Sequence, residues 1–262
     1  RVWVKKRNIV LKKALSMKNF AFIVITVFTS LMGFGQSVET IVSKYYETIG
    51  GARWNDISSM KMTANVDQGG MKIPLEIVSM NDGRMYTEVT FMGNKIIVAA
   101  FDGQKSWSTN FMSMEAEEKP ADDSENARRA SKEFPNPLVK YKELGYSATL
   151  MGEEKIDGTS CFKIQLTKGT VLVDGKENPN IEYYYIDQEN FVPLLMESEI
   201  LDGELKGKTS QIKFSDYQEV NGVIVPFSSS QGIKGEESQS IQFETIEMNG
   251  EVDQAKFNFP KK

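Results

Sequence analysis

The sequence predicts a mainly β chain with some helix (α+β). It describes a large curved antiparallel sheet, half-open as a barrel, of about eleven or twelve strands, with an N-terminal helix and a mid-chain helical flap. Three observations predict it. Runs of alternating apolar and polar residues recur through most of the chain, as in Met60, Met62, Ala64 and Val66 against Lys61, Thr63, Asn65 and Asp67; a period of two marks a strand with one wet face. Tight-turn pairs separate these runs at Asp82-Gly83, Asp102-Gly103, Asp157-Gly158, Asp174-Gly175 and Asp202-Gly203, the strongest short-range hairpin signal. Only Ser37–Ile49 is a firm amphipathic helix.

The ends come first. Lys18 followed by an almost wholly apolar Phe20–Phe34 and the small residues of Gly33-Phe34-Gly35 reads as a secretory signal peptide opening at Met17, because the run is shorter than the roughly 20 residues a membrane span needs. Arg1–Ser16 then reads as an upstream extension, cleavage is expected before Gln36 or Ser37, and residues 36–262 are expected to form a single domain. No Cys stands at the cleavage region, so a lipid-anchored N-terminus is not expected; a soluble, exported protein is.

The whole chain carries 31 basic and 36 acidic residues, a net charge of −5. Its first 36 residues hold seven of the cations (Arg1, Lys5, Lys6, Arg7, Lys12, Lys13 and Lys18) and no acid, which leaves 24 basic against 36 acidic, or −12. Such a surface repels phosphate backbones, so no nucleic-acid partner is expected. Histidine is absent, which removes His-based triads, His-ligated zinc and histidine proton shuttles. Cys161 is the only cysteine; it rules out an intramolecular disulfide and, beside Phe162 in a strand, reads as filler. Neither a cofactor nor a metal is called for, and a monomer is expected.

In chain order, Ser37 caps the helix, Val38, Ile41, Val42, Tyr45 and Ile49 form its stripe, and Gly50-Gly51 ends it. Ile57–Met112 reads as a five-strand meander, with Met60 and Met62, then Met71, Ile73 and Leu75, then Met85, Val89 and Phe91 on one face. Pro74 pushes its strand toward an edge or a bulge. Pro120 introduces a helix from Ala121 or Asp122 to Phe134, with acids at its start and Arg128 and Arg129 toward its end, as the helix dipole prefers. Leu138–Leu144 reads as one more short helix. The whole excursion is either a solvated crossover between sheet halves or a flap over the apolar face, and the flap is preferred.

A second meander follows: Ser147–Ile156, Ser160–Thr167, Ile181–Asp187, Val192–Ile200 and Thr209–Tyr217, with Phe162, Ile164, Leu194, Met196, Ile212 and Phe214 facing inward. Val223–Ser229, Gln239–Glu247 and Ala255–Phe259 close the chain as strands. So much one-faced sheet with one certain helix to cover it leaves apolar surface to account for. Methionine, flexible and polarisable, is frequent on that surface, as it is where varied apolar ligands must be moulded to, and a groove for a hydrophobic ligand would account for it.

The order of several short motifs carries a resemblance. After the helix ending Ile49-Gly50-Gly51 come the strand Met60–Asp67, a strand after Arg84, and Phe101-Asp102-Gly103-Gln104-Lys105-Ser106-Trp107. Gly152–Ile156 with Asp157-Gly158, Tyr185-Ile186-Asp187, Asp216-Tyr217 through Gly222-Val223-Ile224-Val225-Pro226, and Phe257-Asn258-Phe259-Pro260 follow. Together they resemble the outer-membrane lipoprotein-sorting family, the LolA/LolB-like half-barrels, in a divergent form found among Bacteroidetes-type secreted proteins. The resemblance implies a periplasmic carrier or chaperone. A helix-lidded incomplete barrel would hold lipoprotein or lipid acyl chains and exchange them with membrane-associated donor and acceptor proteins. It places Arg84 where the family's lid-holding arginine stands, and matches the family's turn with Asp102, Gly103, Lys105 and Trp107. The chain departs from the family in having Asn81-Asp82-Gly83 where a proline usually precedes the arginine.

Two other readings stand beside it. Glu197 and Glu199 share a strand face about 7 Å apart by strand rise, a spacing that glycosidase carboxylates also use; Asp122-Asp123-Ser124-Glu125 loosely resembles a cation site. Alternatively, the aromatic strand Tyr183–Tyr185 serves an envelope interaction module, since aromatics mark interfaces.

Overall fold

The computed structural model of the chain describes residues 36–68 and 71–260. The expected signal peptide and upstream extension lie outside them. No helix among the described residues is long and apolar enough to cross a membrane.

Thirteen strands form one antiparallel sheet that curves and does not close. The first meander supplies β1 (Ser59–Gln68), β2 (Met71–Met80), β3 (Met85–Phe91), β4 (Asn94–Phe101), β5 (Ser106–Thr109) and β6 (Ala116–Glu118). The second supplies β7 (Ser147–Ile156), β8 (Thr159–Val173), β9 (Lys176–Asp187), β10 (Pro193–Glu199), β11 (Thr209–Val220), β12 (Val223–Ile233) and β13 (Ser238–Met248). Each meander runs in sequence order, and the two join where β1 pairs with β13. This leaves β6 and β7 as the edges. Both edges carry charge (Glu117 and Glu118; Glu153, Glu154 and Lys155), which discourages strand addition.

Helix α1 (Val38–Thr48) starts where Ser37 Oγ accepts from the Thr40 N–H at 3.2 Å. Its buried stripe Ile41, Val42 and Tyr45 lies on the sheet, and the face it covers is called inner here. Gly50 ends it at φ 115°, and a Cβ there would press on the Gly222 carbonyl; only glycine suits both the left-handed backbone and the close approach. A 3-10 turn, Gly51–Asp56, follows, and Trp54 Nε1 donates to the Ile49 carbonyl at 2.9 Å. The inner core beneath α1 joins Phe162, Ile164, Leu166, Tyr184 and Ile186 to Val223, Val225, Ile246 and Met248.

The outer face has its own cover. Val78, Tyr86, Ala100 and Trp107 are cross-strand neighbours on that face, and Phe257 packs onto them. Phe257 belongs to a 3-10 turn, Gln254–Phe257, opened by Asp253 accepting from the Ala255 N–H. The expected strand Ala255–Phe259 is therefore a capped turn and tail. Three more differences fall in the middle of the chain. The mid-chain helix α2 spans Ala121–Ala130 and stops four residues short of Phe134. Leu138–Leu144 forms turns, with Leu138 fully buried. Short β6 adds a strand where Ala116-Glu117-Glu118 offers no apolar alternation.

Candidate functional site: the inner apolar face

Between β6 at one edge and β7 at the other, the chain crosses the open side of the sheet, and α2 spans the crossing. One end of α2 sits at β5, where Ser124 Oγ accepts from the Ser106 N–H at 2.9 Å. The rest is fastened to the β8–β9 hairpin. Asp122 accepts from the Gly175 N–H, and Asn126 makes two 2.8 Å bonds with the Leu172 backbone, one as donor and one as acceptor. Arg129 forms a two-pronged pair with Glu177 at 2.8 and 2.9 Å. No residue of α2 is buried. It is a strap held by polar contacts, without an apolar core of its own. The arginines hold both acids low: Glu177, bonded to Arg129, is pushed down to about 2, as is Glu125, bonded to Arg128 and Arg129.

Below the strap lies a buried charge cluster. Lys168 Nζ is 3.1 Å from Glu133 and 2.6 Å from Glu182. Tyr146 and Tyr184 donate their hydroxyls to these two acids in turn. Burial opposes the ammonium charge, but the two carboxylates outweigh it and hold the Lys168 pKa above its ordinary value. Burial, then the neighbouring Glu182, pushes the Tyr184 hydroxyl far up.

The apolar residues expected to face inward divide in two. Near α1, Phe162 and Ile164 are dry core, and Met60, Met62, Leu194 and Met196 pack against it. Away from α1, cross-strand register lines up Ala64, Leu75, Val89 and Ile96, and beside them Val66 with Ile73. There Ile73, Val89, Phe91, Ile212 and Phe214 are half-buried, Leu75 is buried, and Met71 and Met85 are 49% and 37% exposed. Register adds residues left out of the expected inner-face set: Ile77 opposite Met62, Ile96 opposite Val89, and Phe243 opposite Ala64. Their alternation was visible, but the face it served was not. Beside Ile212 and Phe214 the face turns polar, with Gln231 and Ser229 as cross-strand partners.

Three cavities ring the segment that follows α2. One of about 600 Å³ lies between α1, Trp54 and residues 134–143. Another of about 340 Å³ lies beside Lys168, Tyr146 and the end of α2. The third, about 220 Å³, separates Ser79 and Met85 from Phe134 and Pro137.

Trp107 stands elsewhere than expected, and Arg84 meets the expectation only in bordering a cavity. Trp107 is on the outer face, 3% exposed, its Nε1 donating to the Phe257 carbonyl at 2.8 Å. Arg84 pairs with Asp82, donates to Gln254 Oε1 at 2.8 Å and sits 5.1 Å from the Phe257 ring. It also borders the smallest cavity, but its hydrogen bonds among the described residues go to its own turn and to the C-terminal turn. Both side chains anchor the tail to the back of the sheet. Asp102 accepts from the Gln104 and Lys105 N–H groups, as its turn requires, and Lys105 pairs with Glu118.

Several residues of the competing readings are already engaged. Glu197 is buried on the outer face, accepting from Tyr185, Gln211 and Lys234 at 2.7, 2.7 and 2.8 Å. Burial works against its charge, yet Lys234, Tyr185 and Gln211 together lower its pKa. In the acidic run, Asp122 and Glu125 are spent on Gly175 and on Arg128 and Arg129, and no group of acids suited to a metal occurs among the described residues. Tyr184 and Tyr185 are buried on opposite faces, and Tyr183 is half-buried beside Tyr185 and Leu195. Cys161 is fully buried, and burial pushes its thiol up to about 11; it is packing.

No protein-family model matches the sequence, and no curated protein matches it either. Solved structures do. A DUF1329 family protein from Desulfovibrio piger aligns over 85% of this chain and 97% of its own, at 14% identity and a TM-score of 0.53. A LolA superfamily protein from Nitrosomonas europaea aligns over 86% and 98%, at 14% identity and a TM-score of 0.50. At these identities the likeness is one of fold alone.

Proposed function

We propose that the protein is a periplasmic carrier, without enzymatic activity, that holds acyl chains of lipoproteins or other lipids on its inner face and passes them between membrane-associated partners in lipoprotein sorting. The observation that carries this reading is the stretch of inner face beyond α1. There Ile73, Val89, Phe91, Ile212 and Phe214 stay only half-buried, and Met71 and Met85 reach solvent. Apolar surface held partly open inside a curved sheet gains free energy by taking up apolar ligand, about 25 cal/mol for each Å² removed from water. The LolA-superfamily fold and the strap across the open side support it.

Mass spectrometry of lipid extracted from the purified protein tests this directly. Co-purifying lipid or lipoprotein acyl chains are expected; a protein that emerges without apolar ligand and takes none up on incubation with vesicles would contradict the reading. One observation favours a second reading, an envelope interaction module: the turn between β5 and β6 leaves Phe111 61% and Met112 97% exposed. Pull-down with Met112→Ser as control separates the two, because acyl binding does not involve that turn.

A further inference from the structure

The segment between α2 and buried Leu138 is pinned at several points. A Cβ on Gly83 would run into Ser131, so that the segment starts hard against the β2–β3 turn. Glu133 is held by Lys168 and Tyr146, and Leu138 is in the core. Phe134 stands between these fixed points, half-buried, its ring edge-to-face with Trp54 at 5.8 Å. With the backbone tied on either side, the freedom left at this position is largely that of the side chain.

Phe134 and Pro135 line two cavities at once. On one side is the cavity of about 220 Å³, walled by Ser79 and Met85. Those two residues head the inner-face rows that run away from α1, Ile77, Leu75 and Ile73 along β2 and Thr87, Val89 and Phe91 along β3. On the other side is the cavity of about 600 Å³, with Val42, Trp54, Ile57 and Val139 around it beside the polar Asn55, Asn81 and Lys142. The smaller falls below the ~300–1,000 Å³ of a usual ligand pocket, and the larger falls inside it.

Resting on the carrier reading, we infer that Phe134 is a specificity-determining wall: it sets the length of acyl chain the inner face accepts by closing the groove off from the larger cavity. A chain lying along β2 and β3 meets Phe134 at the end of its path. Trp54 is the positioning residue, holding the ring across the gap. Removing bulk at Phe134 opens a second compartment; adding bulk shortens the first.

The test is a chain-length series of saturated fatty acids, from twelve to eighteen carbons, displacing a fluorescent acyl probe from the purified protein. Wild type, Phe134→Leu, Phe134→Met and Phe134→Trp are compared, with melting temperatures checking that each folds. Phe134→Leu and Phe134→Met should bind the longest chains several-fold more tightly relative to the twelve-carbon acid. Phe134→Trp should shift the preference toward shorter chains, with twelve-carbon binding retained in all four proteins. Binding in which every variant keeps the wild-type length preference would overturn the role of Phe134 and leave the carrier reading standing. Failure of wild type to bind any chain would overturn both.

Discussion

Trp107 shows how a single side chain changes meaning with the face it occupies. The turn that introduces it matches the resemblance, yet the indole is committed to the Phe257 carbonyl on the back of the sheet. Trp107→Phe removes the donor and leaves a buried carbonyl unpaired, so stability should fall by about 1–3 kcal/mol while acyl-probe affinity stays at the wild-type value. Urea unfolding and probe titration read the two effects separately; lost affinity at unchanged stability would return Trp107 to the binding surface. Lys168 is the opposite case. Lys168→Met strands Glu133 and Glu182, two little-exposed carboxylates, without their cation. Breaking such a pair costs about 3–5 kcal/mol, and a melting curve indistinguishable from wild type would contradict the cluster. Neither pairing was legible in sequence, because alternation says which residues share a face without saying which face is inner, and charges far apart in the chain give no sign that they meet.

Among the elements, the strap makes the sharpest demand on pH. Arg129 holds Glu177 down near 2, and Arg128 with Arg129 does the same to Glu125, from an ordinary value of 4.5. Carboxylates depressed in the docked state contribute fully above their ordinary pKa, and the contribution is lost as pH falls toward the depressed value. Protection of α2 amides against hydrogen exchange, corrected for intrinsic rates, should hold from pH 7 to 5 and decline from about pH 4.5 toward 2. Glu177→Gln should loosen α2 already at neutral pH. Constant protection down to pH 2 would show that something other than these ion pairs holds the strap.

The hairpins were readable because Asp157-Gly158 and Asp174-Gly175 supply the positive φ that a tight turn needs (47° and 91°, 52° and 69°). The helix within the flap was readable from Pro120 and its charge order, but its end was not. Ser131 is set by contact with Gly83, a residue far away in sequence. The closing Ala255–Phe259 read as a strand because its apolar spacing suits one. Asp253 caps a turn there, and Phe257 is drawn down onto Tyr86, ring centroids 5.2 Å apart.

On the scale of the whole molecule, the thirteen strands and one well-packed helix among the described residues leave the sheet with two unequal ends, one buried beneath α1 and one half-open beyond it. Fold and apolar surplus were legible from periodicity; the division of that surplus was not, since it depends on where α1 lies. Phe162 and Ile164 therefore belong to stability, and Phe162→Ala should cost about 3–5 kcal/mol. Phe91, half-buried at the open end, stands on the face proposed to bind. Titration of the purified chain with a fluorescent acyl probe, alongside its melting temperature, tests the central claim most directly. Wild type should bind and melt higher, with stabilisation of about 2.7 kcal/mol at a free probe concentration a hundredfold above the dissociation constant. Phe91→Ala should bind more weakly while its ligand-free melting temperature barely moves. A wild-type protein that neither binds the probe nor melts higher in its presence would contradict the account.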